Sequence, residues 1–339
     1  MPYRKIQDDL LHRLDKVQRK KTDYEIVYKN EEVCLENEFC FFIKPEITLL
    51  SENIRYHEIF GLILDKINRY DFRIHDITIL SADYLSRYDI IAQHYGVINR
   101  LSKNPLVYLS EEAGKKFKEL TGISIKEANI QGSLEFLEKN SSIDAEALNL
   151  MCQGSKIEKL AGGTYVNRFD FNGKEVFIIN GFHPKQLRYF TATGRSIITF
   201  RLSSNTSWKT ARNNFIGKTN PAEATKGSIR NELLVNSEKF GLETVSSSFN
   251  GVHLSAGPVE GLVELIRYNS DFSGNDIKTY KDFTFGVRLS KIFSEKSISQ
   301  ILSNALTVYH EKTVPVFDLT EEMDSSEALI LLKEVFKVT

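Results

Sequence analysis

The sequence predicts an α+β fold in which an antiparallel sheet with helices is interrupted by an α+β insert. Short apolar runs typical of buried strands alternate with helically spaced apolar residues over 41–95 and again over 183–202. Between these parts, Asn172-Gly173 separates two segments of strand character, which is the strongest short hairpin signal. The strand, helix, strand, helix order of the first part agrees with the split βαβ plan of a ferredoxin-like sheet.

Residues 1–37 are predicted to form an extension ahead of the sheet. Residues 5–20 carry apolar side chains at helical spacing and predict an amphipathic helix. Two short strands are expected at 24–28 and 32–35, where β-forming residues cluster.

The core of the predicted fold comes from two separated parts of the chain, 38–99 and 180–270. Each part combines apolar strands with helices that carry one apolar face. The predicted elements are strand 41–43, helix 56–70, strand 72–80, helix 81–95, helix 183–190, strand 196–202 and a helix beginning near Gly257.

The insert, residues 100–179, has signals of its own and is expected to fold as a subdomain. Ser110-Glu-Glu predicts the start of a helix that ends at Gly122. An apolar run at 134–137 and a helix near 144–152 follow. The hairpin strands are expected at 165–171 and 174–179.

The last segment, residues 271–339, is predicted to be a helical extension. Its helices are expected at about 297–309 and 321–337. Like the first segment, it lies outside the predicted core.

Composition sets limits on the class of protein. The chain has 339 residues, 41% of them hydrophobic and 26% charged, which is ordinary for a globular protein. A net charge of -1 gives no general attraction to nucleic acid or to an anionic membrane. The start lacks an apolar signal segment, no stretch suits a membrane span, and the three cysteines have no metal or disulfide spacing. We expect a cytoplasmic protein.

The most informative motif is Asn250-Gly-Val-His253-Leu-Ser255, followed by Glu264 on the next predicted helix. A neutral imidazole is a nucleophile whose tautomer depends on what its second nitrogen contacts, and a carboxylate is a good partner for it. Upstream, Arg212, Thr219 and Arg230 supply two cations and a hydroxyl in the order that a triphosphate tail would need. The pattern indicates a histidine that carries phosphate.

Taken together, these segments resemble the nucleoside diphosphate kinase family. The family pattern also has a strand ending in Ile-Lys-Pro-Asp, matched here by Ile43-Lys44-Pro45-Glu46, and a His-Tyr pair, matched by His94-Tyr95. The resemblance implies that the γ-phosphate of a nucleoside triphosphate passes to His253 and then to a nucleoside diphosphate. Magnesium is expected to arrive with the nucleotide, without a dedicated metal site in the protein.

The resemblance implies a catalytic set around the histidine. His253 would be the nucleophile, with Glu264 and Ser255 orienting or supporting it. Lys44 would neutralise phosphate charge, and Tyr95 would complete the pocket.

It also implies a nucleotide-binding set in addition to Lys44. For the base, two adjacent residues are equal candidates for the stacking position, His183 and Phe182. The other members and their contacts are Arg212 and Arg230 with phosphates, Thr219 with a phosphate, Asn250 with the ribose and Leu187 with the base.

Several positions depart from the family pattern. Glu46 replaces an aspartate, Ile47 a glycine, and Ala256 stands where an acidic residue is common. The longer loop between Arg230 and Asn250 alters a region that helps to build trimers in the family, so the family's usual hexamer does not follow from the resemblance, and a homo-oligomer stays open. The insert is expected to be a lid, to narrow the acceptor range, or to dock a protein.

Two other functions are compatible with these residues. One is a nucleotide-sensing interaction module that keeps the pocket without turnover. The other is transfer from phosphorylated His253 to a protein or to an unusual metabolite diphosphate. Loss of His253 would abolish transfer but leave sensing intact.

Overall fold

The computed structural model describes residues 2–336 and divides them into two compact units. The first unit combines residues up to Tyr84 with residues from Thr193 onward, and the second comprises Leu85–Ala192. The second unit extends beyond the predicted insert 100–179 at both ends. Residue 1 and residues 337–339, including the predicted helix end at Lys337, lie outside the described residues.

The first unit is an α+β structure built on one five-stranded antiparallel sheet. Its strands are β1 (Tyr24–Lys29), β2 (Asn37–Ile43), β3 (Arg73–Ser81), β8 (Ser196–Ser204) and β9 (Val252–Leu254). The order across the sheet is β1-β3-β8-β2-β9. Phe42 of β2 stands opposite His253 of β9, so the candidate nucleophile lies on an edge strand.

The helices of the first unit begin with α1 (Pro2–Gln18), α2 (Pro45–Thr48) and α3 (Tyr56–Arg69). The chain crosses into the second unit within α4 (Ala82–Arg87). After β8 come α12 (Trp208–Thr210), a π-helical turn at Ala211–Ile216, a 3-10 turn at Pro221–Glu223, α13 (Ile229–Val235), α14 (Ser237–Phe240) and α15 (Pro258–Asn269). The C-terminal part adds a 3-10 turn at Tyr280–Asp282, α16 (Thr284–Ser290), α17 (Glu295–Leu302), hairpin strands β10 (Leu306–Tyr309) and β11 (Lys312–Pro315), α18 (Val316–Leu319) and α19 (Ser325–Val335).

The two faces of the sheet are covered by different parts of the chain. Phe39, Phe41 and Ile43 of β2 point into a large apolar core that also contains the buried faces of α1 and α3. The alternate residue Phe42 lies on the opposite face, where its ring is 5.3 Å from that of Tyr268 in α15. Because both faces are covered, β2 is buried along its whole length, which explains its nearly continuous apolar sequence.

The second unit has its own four-stranded sheet and two apolar clusters. The strand order is β4-β7-β6-β5, with β4 parallel to β7 and the other pairs antiparallel. Its strands are β4 (Ile130–Gly132), β5 (Ile157–Ala161), β6 (Thr164–Phe171) and β7 (Lys174–Ile179). Its helices are α5 (Ile90–His94), α6 (Gly96–Lys103), α7 (Pro105–Tyr108), α8 (Glu111–Thr121), α9 (Ser133–Lys139), α10 (Ala145–Gln153) and α11 (His183–Thr191).

Three sequence-based predictions of elements are wrong. Residues 32–35 form no strand, and Val33 is 83% exposed. Their backbone N–H groups bond to side chains and not to a neighbouring strand: Glu32 N–H donates to Asn30 Oδ1, and Leu35 N–H donates to Ser203 Oγ. The predicted helix 81–95 is broken at Asp89, which has a φ of 52°.

The third wrong prediction is the helix at 297–309. The helix there, α17, begins after Ser294, whose hydroxyl accepts from the N–H of Ser297, and ends at Leu302. Asn304 has a φ of 56°, which turns the chain into β10. The C-terminal extension is therefore helical with one added hairpin. No helix within residues 2–336 is long and apolar enough to cross a membrane.

Candidate functional site

The centre of the site is the pair His253 and Glu264. His253 lies on β9, and Glu264 lies on α15, which follows after a short turn. His253 Nε2 is 2.9 Å from both carboxylate oxygens of Glu264. Because an ionised carboxylate only accepts hydrogen bonds, this contact favours the tautomer with the proton on Nε2 and the lone pair on Nδ1.

Burial differs sharply between the two partners. The side chain of Glu264 is 2% exposed, whereas that of His253 is 20% exposed and therefore reachable from solvent. The imidazole stacks on Phe42, with ring centroids 4.4 Å apart and planes inclined by 21°. The ring is thus fixed on one side by a carboxylate and on one face by an aromatic side chain.

Two arginines bind the outer edge of β9 on either side of His253. Gly251 O accepts from Lys44 N–H, and Ser255 N–H donates to Cys40 O, so these two groups face β2. Backbone groups alternate in direction along a strand, and the carbonyl groups of residues 252 and 254 therefore point away from β2. Arg230 Nη2 donates to Val252 O at 3.0 Å, and Arg212 Nη1 donates to Leu254 O at 3.4 Å. Both guanidinium groups are therefore held within one residue of His253 along the strand.

The guanidinium of Arg230 is buried, and only some of its hydrogen-bond donors have acceptors among the described residues. Its Nη1 donates to Gly217 O at 2.8 Å, but its Nε has no hydrogen-bond partner among the described residues. The neighbouring hydroxyl of Ser228 is also buried and has none. Burial, with Arg212 nearby, lowers the pKa of Arg230 to about 10. A buried guanidinium and hydroxyl in this state suit an anion that supplies the missing acceptors.

Lys44 is the third cation. It follows β2 directly, and Pro45 begins α2 behind it. Lys44 Nζ donates to Asn250 Oδ1 at 2.7 Å. Burial lowers its pKa to about 8, helped by Arg230 and opposed by Glu46. Lys44 is therefore a cation that lacks the solvation it would have at the surface, and a bound phosphate would compensate for that loss.

The loop that carries Thr219 is shaped by close packing. Arg212 lies in the π-helical turn Ala211–Ile216, an irregularity that often occurs at functional sites. Gly217 ends this turn with a φ of 89°, and a Cβ there would meet Ser228 Oγ at 2.3 Å. Thr219 itself is exposed, and its carbonyl accepts from Asn250 Nδ2 at 3.1 Å.

Two residues predicted as site members have other contacts. Asn250 is 1% exposed, and its Nδ2 donates to Thr219 O and to Ser247 O. These bonds use both amide hydrogens, so Asn250 positions Lys44 and the Thr219 loop, and its contact with a ribose stays a prediction. Ser255 Oγ bonds the backbone of Cys40, donating to its O and accepting from its N–H, which fixes the end of β9 on β2. Its support of His253 is therefore indirect.

Three acidic residues near this site were not predicted. Glu46 Oε1 accepts from Gly251 N–H at 2.8 Å, which holds the turn before β9. Glu260 lies one helical turn before Glu264, and burial, with the charge of Glu264, raises its pKa to about 7. Glu321 contacts Arg212, with Oε1 3.2 Å from Nη2. The sequence showed Glu46 beside Lys44 in the motif and the four-residue spacing of Glu260 and Glu264, but not their contacts.

Tyr95, His183 and Leu187 belong to the second unit. The Tyr95 ring packs edge-on against that of His183, with centroids 6.1 Å apart. His183 is fully buried, its ring nitrogens lie 3.3 and 3.4 Å from Asn99 and Gln186, and burial lowers its pKa to about 4. The ring of His183 has no exposed surface, and its stacking with a base stays a prediction. Leu187 and Phe182 are half-buried.

Among the comparisons with known proteins, the one with solved structures gives matches. No protein-family model matches the chain, and no curated protein matches it. Among solved structures, an NDP kinase from Pyrobaculum aerophilum is similar at 17% sequence identity and a TM-score of 0.31. The similarity covers 71% of this chain and 99% of that chain. At this TM-score it supports neither a fold assignment nor an activity by itself.

Proposed function

We propose that this protein is a phosphotransferase that carries the phosphoryl group on His253. The observation that carries the proposal is the contact of His253 Nε2 with both oxygens of the buried Glu264. A pocket that only senses nucleotides needs cations for the phosphates but has no need of a carboxylate that selects one imidazole tautomer. The arrangement therefore favours a nucleophile over a sensor.

Within this class, we propose a nucleoside diphosphate kinase-like reaction. In the first step, His253 Nδ1 attacks the γ-phosphorus of a nucleoside triphosphate, and the bond to the β-phosphate oxygen breaks, releasing a nucleoside diphosphate. In the second step, a terminal oxygen of another nucleoside diphosphate attacks the same phosphorus, and the N–P bond breaks. The imidazole returns to its starting state, so atoms and charges balance over the cycle.

Glu264 would act in both steps through the imidazole. Phosphorylation at Nδ1 places positive charge on the ring while Nε2 keeps its proton. The carboxylate of Glu264 at 2.9 Å would stabilise that charge and hold the ring in place. Because Glu264 is 2% exposed, water screens this interaction little.

Lys44, Arg212 and Arg230 would stabilise the charge of the transferring phosphate groups. Phosphoryl transfer requires mainly positioning and charge neutralisation from the protein. The exposed Thr219 would add a neutral hydrogen bond. Magnesium would be part of the substrate, bound to the phosphate oxygens of the nucleotide. The pocket role of Tyr95 remains a prediction from the sequence, as do the base contacts of Leu187 and of His183 or Phe182, and the ribose contact of Asn250.

We further propose that the sheet of the first unit is ferredoxin-like. The strands β3, β8, β2 and β9 are neighbours in that order, and all their pairings are antiparallel. The chain runs from β2 through α3 to β3, and β8 lies between these two strands, as in a split βαβ unit. β1 adds a strand at the edge beside β3.

Steady-state kinetics test the proposed reaction. A phosphohistidine intermediate requires release of the first product before the second substrate reacts, which gives parallel lines in double-reciprocal plots. The rate of phosphoryl transfer from ATP should be measured against several fixed concentrations of each nucleoside diphosphate. Intersecting lines would exclude this mechanism, because they indicate a complex with both substrates bound.

The low pKa of Lys44 leads to a pH dependence of nucleotide binding. Bound phosphates favour the charged amine, so they raise the pKa of Lys44 above its value of about 8 in the free protein. Above pH 8, binding must therefore take up a proton, and the dissociation constant for Mg²⁺–ADP should rise by up to about tenfold per pH unit. Below pH 8, Lys44 is mostly charged and adds little dependence.

Calorimetric titrations between pH 7.5 and 9.5 check this prediction. The matched variant is Lys44→Arg, because arginine stays charged throughout this range. Its affinity should change little with pH, whatever its absolute value. Equal pH slopes for the wild type and Lys44→Arg would contradict the assignment of the slope to Lys44.

A further inference from the structure

The C-terminal extension places two carboxylates against one of the proposed phosphate-binding cations. Glu321 Oε1 is 3.2 Å from Arg212 Nη2, and Glu322 Oε1 is 3.9 Å from Arg212 Nε. The same guanidinium reaches Leu254 O, next to His253. Arg212 is therefore shared between the strand that carries the histidine and the extension.

The segment that carries these carboxylates is fixed in place. Glu322 N–H donates to Ala256 O at 2.9 Å, only three residues after His253. The backbone also approaches closely at Gly257, where a Cβ would meet Thr320 O at 2.4 Å. Thr320 is fully buried, and its hydroxyl donates to Val316 O at 3.0 Å. Glu321 is thus held at the start of α15 by its neighbours.

The exposure and charge of Arg212 determine the effect of its contact with Glu321. Arg230 is buried and Lys44 is fixed by Asn250, whereas the side chain of Arg212 is 26% exposed and that of Glu321 is 47% exposed. A carboxylate on a guanidinium occupies the donors that a phosphate would use, because either anion can accept two parallel N–H···O hydrogen bonds from arginine. Because the pair is solvent-accessible, a phosphate can displace Glu321 at moderate cost.

We propose that Glu321 competes with the phosphate groups of an incoming nucleotide for Arg212, so that the C-terminal extension sets the affinity of the site for nucleoside diphosphates and triphosphates. This inference rests on the proposed function for the identity of the ligand. Glu321 acts through Arg212 and touches no reacting atom, so it modulates affinity and is not a catalytic residue. Glu322, farther from the guanidinium, holds the segment on Ala256 and adds to the local negative charge.

The test is calorimetric titration of the full chain with Mg²⁺–ADP. Glu321→Gln removes the competing charge and keeps the shape, so its dissociation constant should be about two- to fivefold lower than that of the wild type. Glu334→Gln is the matched control, because Glu334 is exposed on α19 and the change in net charge is the same. The difference should shrink as salt is raised.

A second pair of variants isolates Arg212. In an Arg212→Met background, Glu321→Gln should leave the dissociation constant unchanged, because the guanidinium for which Glu321 and phosphate compete is absent. Equal effects of Glu321→Gln and Glu334→Gln, or an effect that persists without Arg212, would overturn the inference.

The same measurements keep the inference separate from the proposed function. Binding of Mg²⁺–ADP requires no phosphoryl transfer, so the expected shifts would uphold the competition even if His253 were never phosphorylated. Conversely, phosphorylation of His253 with no change in affinity on Glu321→Gln would overturn the competition and leave the proposed reaction standing.

Discussion

Replacing Glu264 with glutamine is expected to lower the rate of phosphoryl transfer by orders of magnitude, up to about 10⁴-fold, the loss seen when a catalytic histidine loses the carboxylate that sets its tautomer. Glutamine has almost the same shape, but its amide nitrogen can donate a hydrogen bond. Donation to Nε2 would move the imidazole proton to Nδ1, the atom proposed to attack phosphorus. The variant also loses the negative charge that stabilises the phosphorylated ring.

The measurement is kcat/KM for transfer from ATP to a nucleoside diphosphate, together with nucleotide affinity by calorimetry. Affinity should change little, because Glu264 contacts the imidazole and is not a proposed phosphate ligand. Glu238→Gln, at an exposed position of the same unit, should retain the wild-type rate and serves as the matched control. A rate for Glu264→Gln within about threefold of the wild type would refute its proposed role, since loss of a tautomer-setting carboxylate costs far more.

The second large effect is expected for Arg230→Met. Methionine keeps an unbranched apolar stem but removes the buried guanidinium that binds Val252 O and Gly217 O. Removal of one donor to a developing negative charge typically costs about 10²- to 10³-fold in rate, and we expect a loss of that size in kcat/KM. The two carbonyl groups would also lose their donors, lowering the free energy of unfolding by about 1–3 kcal/mol.

Two comparisons separate catalysis from stability in this variant. Arg230→Lys keeps the charge but loses the two-point contact, so it should recover part of the rate. Arg55→Met removes an exposed arginine of the same unit and should leave both the rate and the unfolding free energy unchanged. If Arg230→Met lost stability but kept its rate, Arg230 would be a structural residue of the β9 edge and not a phosphate ligand.

Elements with strong local signals are the ones that the sequence predicted well. Ser110 caps α8 by accepting from the N–H of Ala113, and Gly122 ends it with a φ of 78°, as their residue types indicated. The hairpin of β6 and β7 turns at Asn172-Gly173, both with positive φ. These features depend on a few neighbouring residues, so the sequence contains the information directly.

The mispredicted elements depend on contacts that are distant in sequence. Residues 32–35 look like a strand, but Arg73 from β3 and Ser203 from β8 bind their backbone. Part of 297–309 looks helical, yet residues 306–309 pair with 312–315 in a hairpin. In both cases tertiary hydrogen bonds outweigh local propensity.

The same distinction holds for the candidate site. His253 and Glu264 lie on one strand, turn and helix, so their proximity followed from the motif. The contact of Arg212 with Glu321 joins residues from separate parts of the chain, and no local pattern indicated it. The positioning role of Asn250 likewise depends on Lys44, which lies 206 residues earlier in the chain.

Phosphorylation of His253 is tested most directly by incubating the purified protein with Mg²⁺ and γ-labelled ATP and locating any acid-labile label. If His253 carries the phosphoryl group, label should appear on His253, be absent from His253→Ala, and leave when nucleoside diphosphates are added. Label that forms but stays on the protein would indicate a different acceptor. Absence of label despite measurable ATP binding would contradict the claim that His253 carries phosphate.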